Sequence, residues 1–348
     1  MSSQSIKSLV ITDPGPLDPR WIAYEAEHLT STAPKKKKSY EGPSAVERQA
    51  TYAQECRELN ARMMAPGARD HHLSQGIVAT QRTTTSTKDG ATIPIMVYTR
   101  EEDAGREPDV VLVYFHGGGL WVGEADSEEL SCRRLVCGNH AVYSIGYRLM
   151  PEYFASVCLS DAYDGFEAVR RWVGAGEGGA GGPGPRIVVV GSSSGGELAA
   201  LVSQMAPRGC LGGALLRCPV TCDVFSGDGY VPEALRKYHT SGTEAFITSL
   251  GGFMRRAVPR DGLARMPIEA TQEELRGQPR TWIQVCTNDV LYSDGVCYGI
   301  ALEEAGVEVK VDVVKGWPHT FWLPVPELER AYEADMAMLE GLKWILGA

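Results

Sequence analysis

The sequence predicts an α/β fold: a mostly parallel, eight-stranded sheet flanked by helices and covered by a helical cap. Three observations carry this expectation. Short runs near 109–115, 141–147, 186–190, 213–217, 281–286 and 307–315 read as strands, and they alternate with helical stretches near 127–138, 158–174, 195–206, 294–305 and 327–346. Such alternation builds a parallel sheet with helices on both faces. Residues 76–87 and 91–100 flank Lys88-Asp89-Gly90, whose glycine-containing turn adds a hairpin. Residues 1–75 and 220–275 fall outside this rhythm. They are assigned to a cap, as an N-terminal helical segment and an insertion, around a core of residues 76–219 and 276–348.

Within the N-terminal segment, Asp18 and Pro19 are a helix-start pair, the first as cap and the second at the first helical position, for a helix over 19–29. Val46, Ala50, Ala53, Leu59 and Met63 recur at roughly helical spacing and predict an amphipathic helix over 44–64. Lys35-Lys36-Lys37-Lys38 between them is read as a solvated loop. The glycine-rich run 174–184 is read as a surface linker, since no helix start follows it to cradle a phosphate. The insertion carries Phe225, Tyr230, Tyr238, Phe246 and Phe253 among glycines and charges. No internal repeat is found.

Composition narrows the function classes. With 43% hydrophobic and 22% charged residues, the 348-residue chain matches a soluble globular protein. A net charge of −10 argues against a nucleic-acid partner, which needs a basic face. The N-terminus lacks the apolar core of a secretory signal, and no apolar stretch approaches the ~18 residues of a membrane span. Nine scattered cysteines are expected as reduced thiols in a cytoplasmic protein. Cys218 and Cys222 are four apart without a second pair, so no metal is expected.

The chemistry lies in two glycine motifs. Ile187-Val188-Val189-Val190 runs into Gly191-Ser192-Ser193-Ser194-Gly195 and then an Ala/Leu-rich segment. A strand, G-x-S-x-G and a helix form a nucleophile elbow, in which the central residue, Ser193, is strained and lifted toward substrate. Gly191 and Gly195 remove Cβ atoms that would obstruct so tight a turn. The second motif, His116-Gly117-Gly118-Gly119, follows the apolar run 110–115. Acyl transfer puts negative charge on the former carbonyl oxygen, and bare backbone amides can approach it there. Gly117, Gly118 and Ser194 are the expected donors, and His116 is expected to brace its own loop.

Together the motifs resemble the α/β-hydrolases, whose catalytic residues follow the order serine, acid, histidine. Serine requires a base, and the base requires a carboxylate to fix its tautomer. Of seven histidines, only His239 and His319 follow Ser193. His239 has no strand before it, whereas His319 lies just beyond the alternating run 307–314, so His319 is the expected base. Asp289, closing the strand 281–286, is the expected acid. Asp294 is its rival, read instead as the cap of a helix beginning near Gly295.

Four blocks carry a closer resemblance to the hormone-sensitive-lipase-like group: His116–Gly119; Tyr147-Arg148-Leu149-Met150-Pro151-Glu152; Gly191–Gly196; and residues 289–295 with His319-Thr320-Phe321. They span most of residues 75–348 in family order. Two departures stand out. The usual Asp-Ser-Ala of the elbow is Ser192-Ser193-Ser194, and Met150 replaces the usual Ala. The resemblance implies a serine carboxylesterase without cofactor, acting through an acyl-enzyme on a small-molecule ester or acyl substrate of small to medium apolar character. Trp121, Phe225, Trp317 and Trp322 are the expected pocket aromatics, and a homodimer is the assembly considered. Two alternatives stay open: a biosynthetic enzyme of secondary metabolism (deacylation, thioester release, lactone opening, dehydration or cyclisation), and a hormone-receptor-like binding protein, from which the retained His319 separates this chain.

Overall fold

The computed structural model describes residues 5–28, 45–174, 184–246 and 258–347. The lysine run 35–38, Phe253 and most of the glycine run 174–184 lie outside these residues. Helix α1 (Pro19–His28) starts as expected: the Asp18 carboxylate accepts the Arg20 N–H at 2.9 Å. Helix α2 spans Ala45–Met63. The hairpin follows as β1 (Ile77–Thr85) and β2 (Thr92–Arg100), antiparallel and closing with Thr85 opposite Thr92.

The alternating core comprises β3 (Val110–Phe115), α3 (Glu129–Leu135), β4 (His140–Ile145), α4 (Ala155–Trp172), β5 (Arg186–Ser192), α5 (Ser194–Met205) and β6 (Leu211–Arg217). After the insertion, which contributes α6 (Glu233–Arg236) and α7 (Gln272–Leu275), come β7 (Thr281–Asn288), α8 (Tyr292–Glu304), β8 (Val309–Pro318) and α9 (Glu329–Leu346). The eight strands form one sheet in the order β1-β2-β4-β3-β5-β6-β7-β8. The β1–β2 and β2–β4 pairings are antiparallel, and those from β4 to β8 are parallel.

A strand covered on both faces must be apolar at every position. In β3 all six residues are buried. Val111, Val113 and Phe115 join one core with α4, α5 and α8, while Val110, Leu112 and Tyr114 join another with α3 and α9. A third cluster packs Trp21 of α1 against Trp317, Phe321 and Trp322. The Asp18 N–H also donates to Gly316 O at 2.8 Å, so α1 is fastened to the end of β8.

Buried ion pairs tie α9 to the rest. Asp335 bonds Arg217 at 2.9 Å through one oxygen and Arg134 at 2.9 Å through the other, and Arg134 also reaches Asp70 at 2.7 Å. All four side chains are at most 5% exposed.

One expectation needs correction. Helix α8 begins at Tyr292, not near Gly295, so Asp294 is its third residue and caps nothing. The insertion, among its described residues, holds short helical turns whose Val231, Leu235, Phe246, Leu263, Met266 and Ile268 are buried in the main core.

Candidate active site

The end of β5 enters Ser193 at φ 54°, ψ −123°, a conformation L residues rarely adopt. Its N–H donates to Arg217 O at 2.8 Å, tying the turn to the end of β6. A Cβ on Gly191 would overlap the Gly195 backbone, and one on Gly195 would overlap the Phe115 carbonyl. The tight turn therefore needs both glycines.

Three strand ends bring the remaining groups together. His319 directly follows β8 and places Nε2 2.8 Å from Ser193 Oγ. Its Nδ1 lies 2.7 Å from Asp289 Oδ2, and Asp289, just past β7, is fully buried. The other Asp289 oxygen accepts the Leu291 N–H at 2.9 Å, which fixes the carboxylate. Burial opposes a charged His319 ring, but the Asp289 charge and hydrogen bond outweigh it and raise the ring above its ordinary 6.5, with Cys218 adding to the rise. Cys218 itself lies 3.7 Å from Cys286, sulfur to sulfur. Burial pushes the Cys218 thiol up, and the bonds to Cys286 and His319 bring it down to about 7.

The glycine loop departs from expectation in one donor. The Gly117 N–H is already given to the Glu128 carboxylate at 2.6 Å and cannot serve an oxyanion. Gly118 and Gly119 line the cavity above Ser193, and among the described residues neither amide has a partner. The expected donor Gly117 is thus engaged elsewhere, which leaves the Gly118 and Gly119 amides and the Ser194 N–H, which opens α5, facing the site. The Ser194 hydroxyl accepts the Leu120 N–H at 3.2 Å, so this departure braces the loop. His116 is internal to it: Nδ1 lies 2.7 Å from Gly117 O, the ring stacks on Tyr147 at 4.3 Å, and burial lowers its pKa to about 4.

A cavity of about 770 Å³ opens over Ser193. Trp121 and Trp322 line it, whereas Phe225 and Trp317 do not: Phe225 packs half-buried on the main core and Trp317 is buried against Trp21 and Phe321. Helix α2 contributes Tyr52, Cys56 and Leu59 to the same lining. Helix α2 is held there by Gln49 to Met150 O at 2.9 Å and by Arg57 to Asp126 at 2.7 Å.

Among the described residues, two groups have donor atoms close enough to share an ion, Cys218–Asp289–His319 and Cys222–His239–Asp294. In the first, both ring nitrogens are engaged by Asp289 and Ser193. In the second, one nitrogen, His239 Nε2, faces both Cys222 Sγ at 3.2 Å and Asp294 Oδ1 at 3.0 Å. A relay needs the two ring nitrogens to face different partners. The other Asp294 oxygen accepts the Thr221 and Cys222 amides at 2.8 and 2.9 Å, so this group fastens the insertion to α8.

Sequence reasoning placed a cap helix over 44–64, where α2 lies, but missed Glu128 and Arg217. No local motif marks them, because each arrives from a distant element. The one signal was Ser192 itself, a hydroxyl where a carboxylate is usual.

The model of the α/β hydrolase fold family matches residues 112–323. The chain is 30% identical over 270 residues to ethyl acetate hydrolase of Pseudomonas putida, covering 74% of this chain and 80% of that protein. It is 31% identical over 271 residues to carboxylesterase NlhH of Mycobacterium tuberculosis, covering 72% and 79%. The crystal structure of a thermostable esterase from Pseudomonas putida ECU1011 superposes with a TM-score of 0.68 at 23% identity, over 94% of this chain and 95% of the other. By sequence and by fold alike, the chain belongs to the α/β-hydrolase fold family, in its hormone-sensitive-lipase-like group.

Proposed function

We propose that the chain is a serine carboxylesterase in which Ser193 is the nucleophile, His319 the base and Asp289 the group that orients it. One observation carries the reading: Ser193 Oγ, both nitrogens of His319 and Asp289 Oδ2 form a continuous line of 2.8 and 2.7 Å contacts under unbonded glycine amides. His319 takes the serine proton as Ser193 attacks the ester carbonyl. The Gly118, Gly119 and Ser194 amides hold the resulting oxyanion. Collapse expels the alcohol with a proton from His319, and water, deprotonated by the same ring, releases the acid.

The cavity supports small or medium apolar esters: its size is that of a typical small-ligand pocket, ~300–1,000 Å³, and aromatic and aliphatic side chains contribute to its walls. Helix α2 acts as the cap over the acyl site. Nine unpaired cysteines support a cytoplasmic location. Among the described residues no helix is long and apolar enough to cross a membrane.

Turnover of p-nitrophenyl esters of increasing chain length, combined with fluorophosphonate labelling, tests the reading. Labelling at Ser193 with turnover peaking at short to medium chains is expected. An unlabelled, inactive protein contradicts it.

A further inference from the structure

We propose that Glu128 is the positioning residue of the oxyanion loop: its buried carboxylate joins the Gly117 amide to the strand that carries the nucleophile, and so aims the Gly118 and Gly119 amides. The proposal rests on the esterase reading above.

Glu128 directly precedes α3 and is 6% exposed. Its Oε1 accepts the Gly117 N–H at 2.6 Å. Its Oε2 accepts the Ser192 hydroxyl at 2.8 Å and the Tyr114 hydroxyl at 2.5 Å. All three of these partners are donors, which is the arrangement of an ionised, acceptor-only carboxylate. The three donors come from the parts that must keep register: Tyr114 from β3, which launches the glycine loop, Gly117 from the loop, and Ser192 from the last position before the nucleophile.

A glycine run has no side chains to hold it and is conformationally loose. Here it is pinned on both sides of the two free amides. Glu128 holds Gly117 before them, and the Ser194 hydroxyl holds Leu120 after them. Electrostatic stabilisation of an oxyanion depends on donors already aimed at its position. Burial holds the Glu128 pKa above its ordinary value, and Tyr114, Gly117, Ser192 and Arg217 offset part of that rise. Ser192 completes the argument. An Asp there would set a second carboxylate within bonding distance of the first, whereas the hydroxyl present donates to it.

Glu128→Gln replaces one acceptor oxygen by a donor. The expected result on a p-nitrophenyl ester is a kcat lower by about 10- to 100-fold, with KM within about threefold, because the loop acts on the transition state. Affinity for a trifluoromethyl ketone, which forms the oxyanion adduct, falls in parallel. Ser192→Asp alone is impaired through the paired carboxylates. Glu128→Gln with Ser192→Asp moves the carboxylate to the other side of the contact and recovers at least about tenfold over Glu128→Gln.

If Glu128→Gln does not fold, Ser192→Ala removes one donor instead, with a kcat a few-fold lower at constant KM and melting temperature. An unchanged or higher kcat in Glu128→Gln, or in Ser192→Ala where the first variant does not fold, overturns the proposal, as does a folded double variant without recovery. A wild-type protein that neither turns over esters nor takes the fluorophosphonate label fails the esterase reading itself. An active, labelled wild type with an indifferent Glu128→Gln fails only this proposal.

Discussion

Asp289 presents Oδ2 to His319 Nδ1 at 2.7 Å, while Asp294, five residues on, gives its carboxylate to the amides of Thr221 and Cys222 and to His239. The two acids therefore separate by readout. Asp289→Asn, whose amide favours the wrong ring tautomer, lowers kcat by on the order of 10⁴. Asp294→Asn spares most catalysis and costs about 1–3 kcal/mol of stability through weakened buried bonds. Kinetics and thermal melts on both variants check this, and the reverse ranking exchanges the two roles.

Ser193→Ala removes the nucleophile and lowers turnover by on the order of 10⁴ to 10⁶. Because the substitution also shortens a residue held at φ 54°, without altering the glycines around it, the melting temperature stays close to wild type. Residual activity near wild type would point to Ser192 or Ser194 and shift the elbow register.

The raised His319 pKa sets the sign of a pH effect. The base must be neutral, so kcat/KM of the free enzyme falls as pH drops through that raised value, and the acid limb lies above 6.5. The protonated ring is favoured in the folded state. Its contribution to stability is fully present below 6.5 and is lost as pH rises through the folded value. His319→Gln removes both dependences. An acid limb below about pH 6 in the wild type would contradict the assignment.

Leu59 of α2 and Ser193 line the same cavity. Leu59→Trp fills part of that space. A hexanoate ester loses about tenfold in kcat/KM, the scale of one or two methylenes in an apolar pocket, while an acetate is little changed. Equal losses for both esters would place α2 away from the acyl chain.

Asp335→Asn leaves the buried guanidinium groups of Arg134 and Arg217 short of a counter-charge. Breaking one partner of such a group costs about 3–5 kcal/mol. Denaturant unfolding of the variant measures it, and a change under about 1 kcal/mol would show the charges relaxing toward water.

The sheet was legible because β3 and β5 announce themselves by unbroken β-branched and aromatic runs, and the elbow because Gly191 and Gly195 have no alternative residue. His319 and Asp289 followed from strand ends. What the sequence hid is what tertiary contact decides. Gly117 reads as a free amide until Glu128 is brought to it, eleven residues along and across a turn. Trp317 and Trp322 look equivalent beside His319, yet only Trp322 borders the cavity, since Trp21 from α1 covers the other. Asp294 reads as a cap because nothing local tells that α8 starts three residues before Gly295.

The ion pairs of Asp335 also join the C-terminal helix to the nucleophile turn. Arg217 gives its carbonyl to the nucleophile turn, stacks its guanidinium on Trp322 at 3.8 Å and pairs with Asp335 of α9. A substitution on α9 that displaces Asp335 therefore unsettles a fully buried cation whose own backbone carbonyl holds the Ser193 amide.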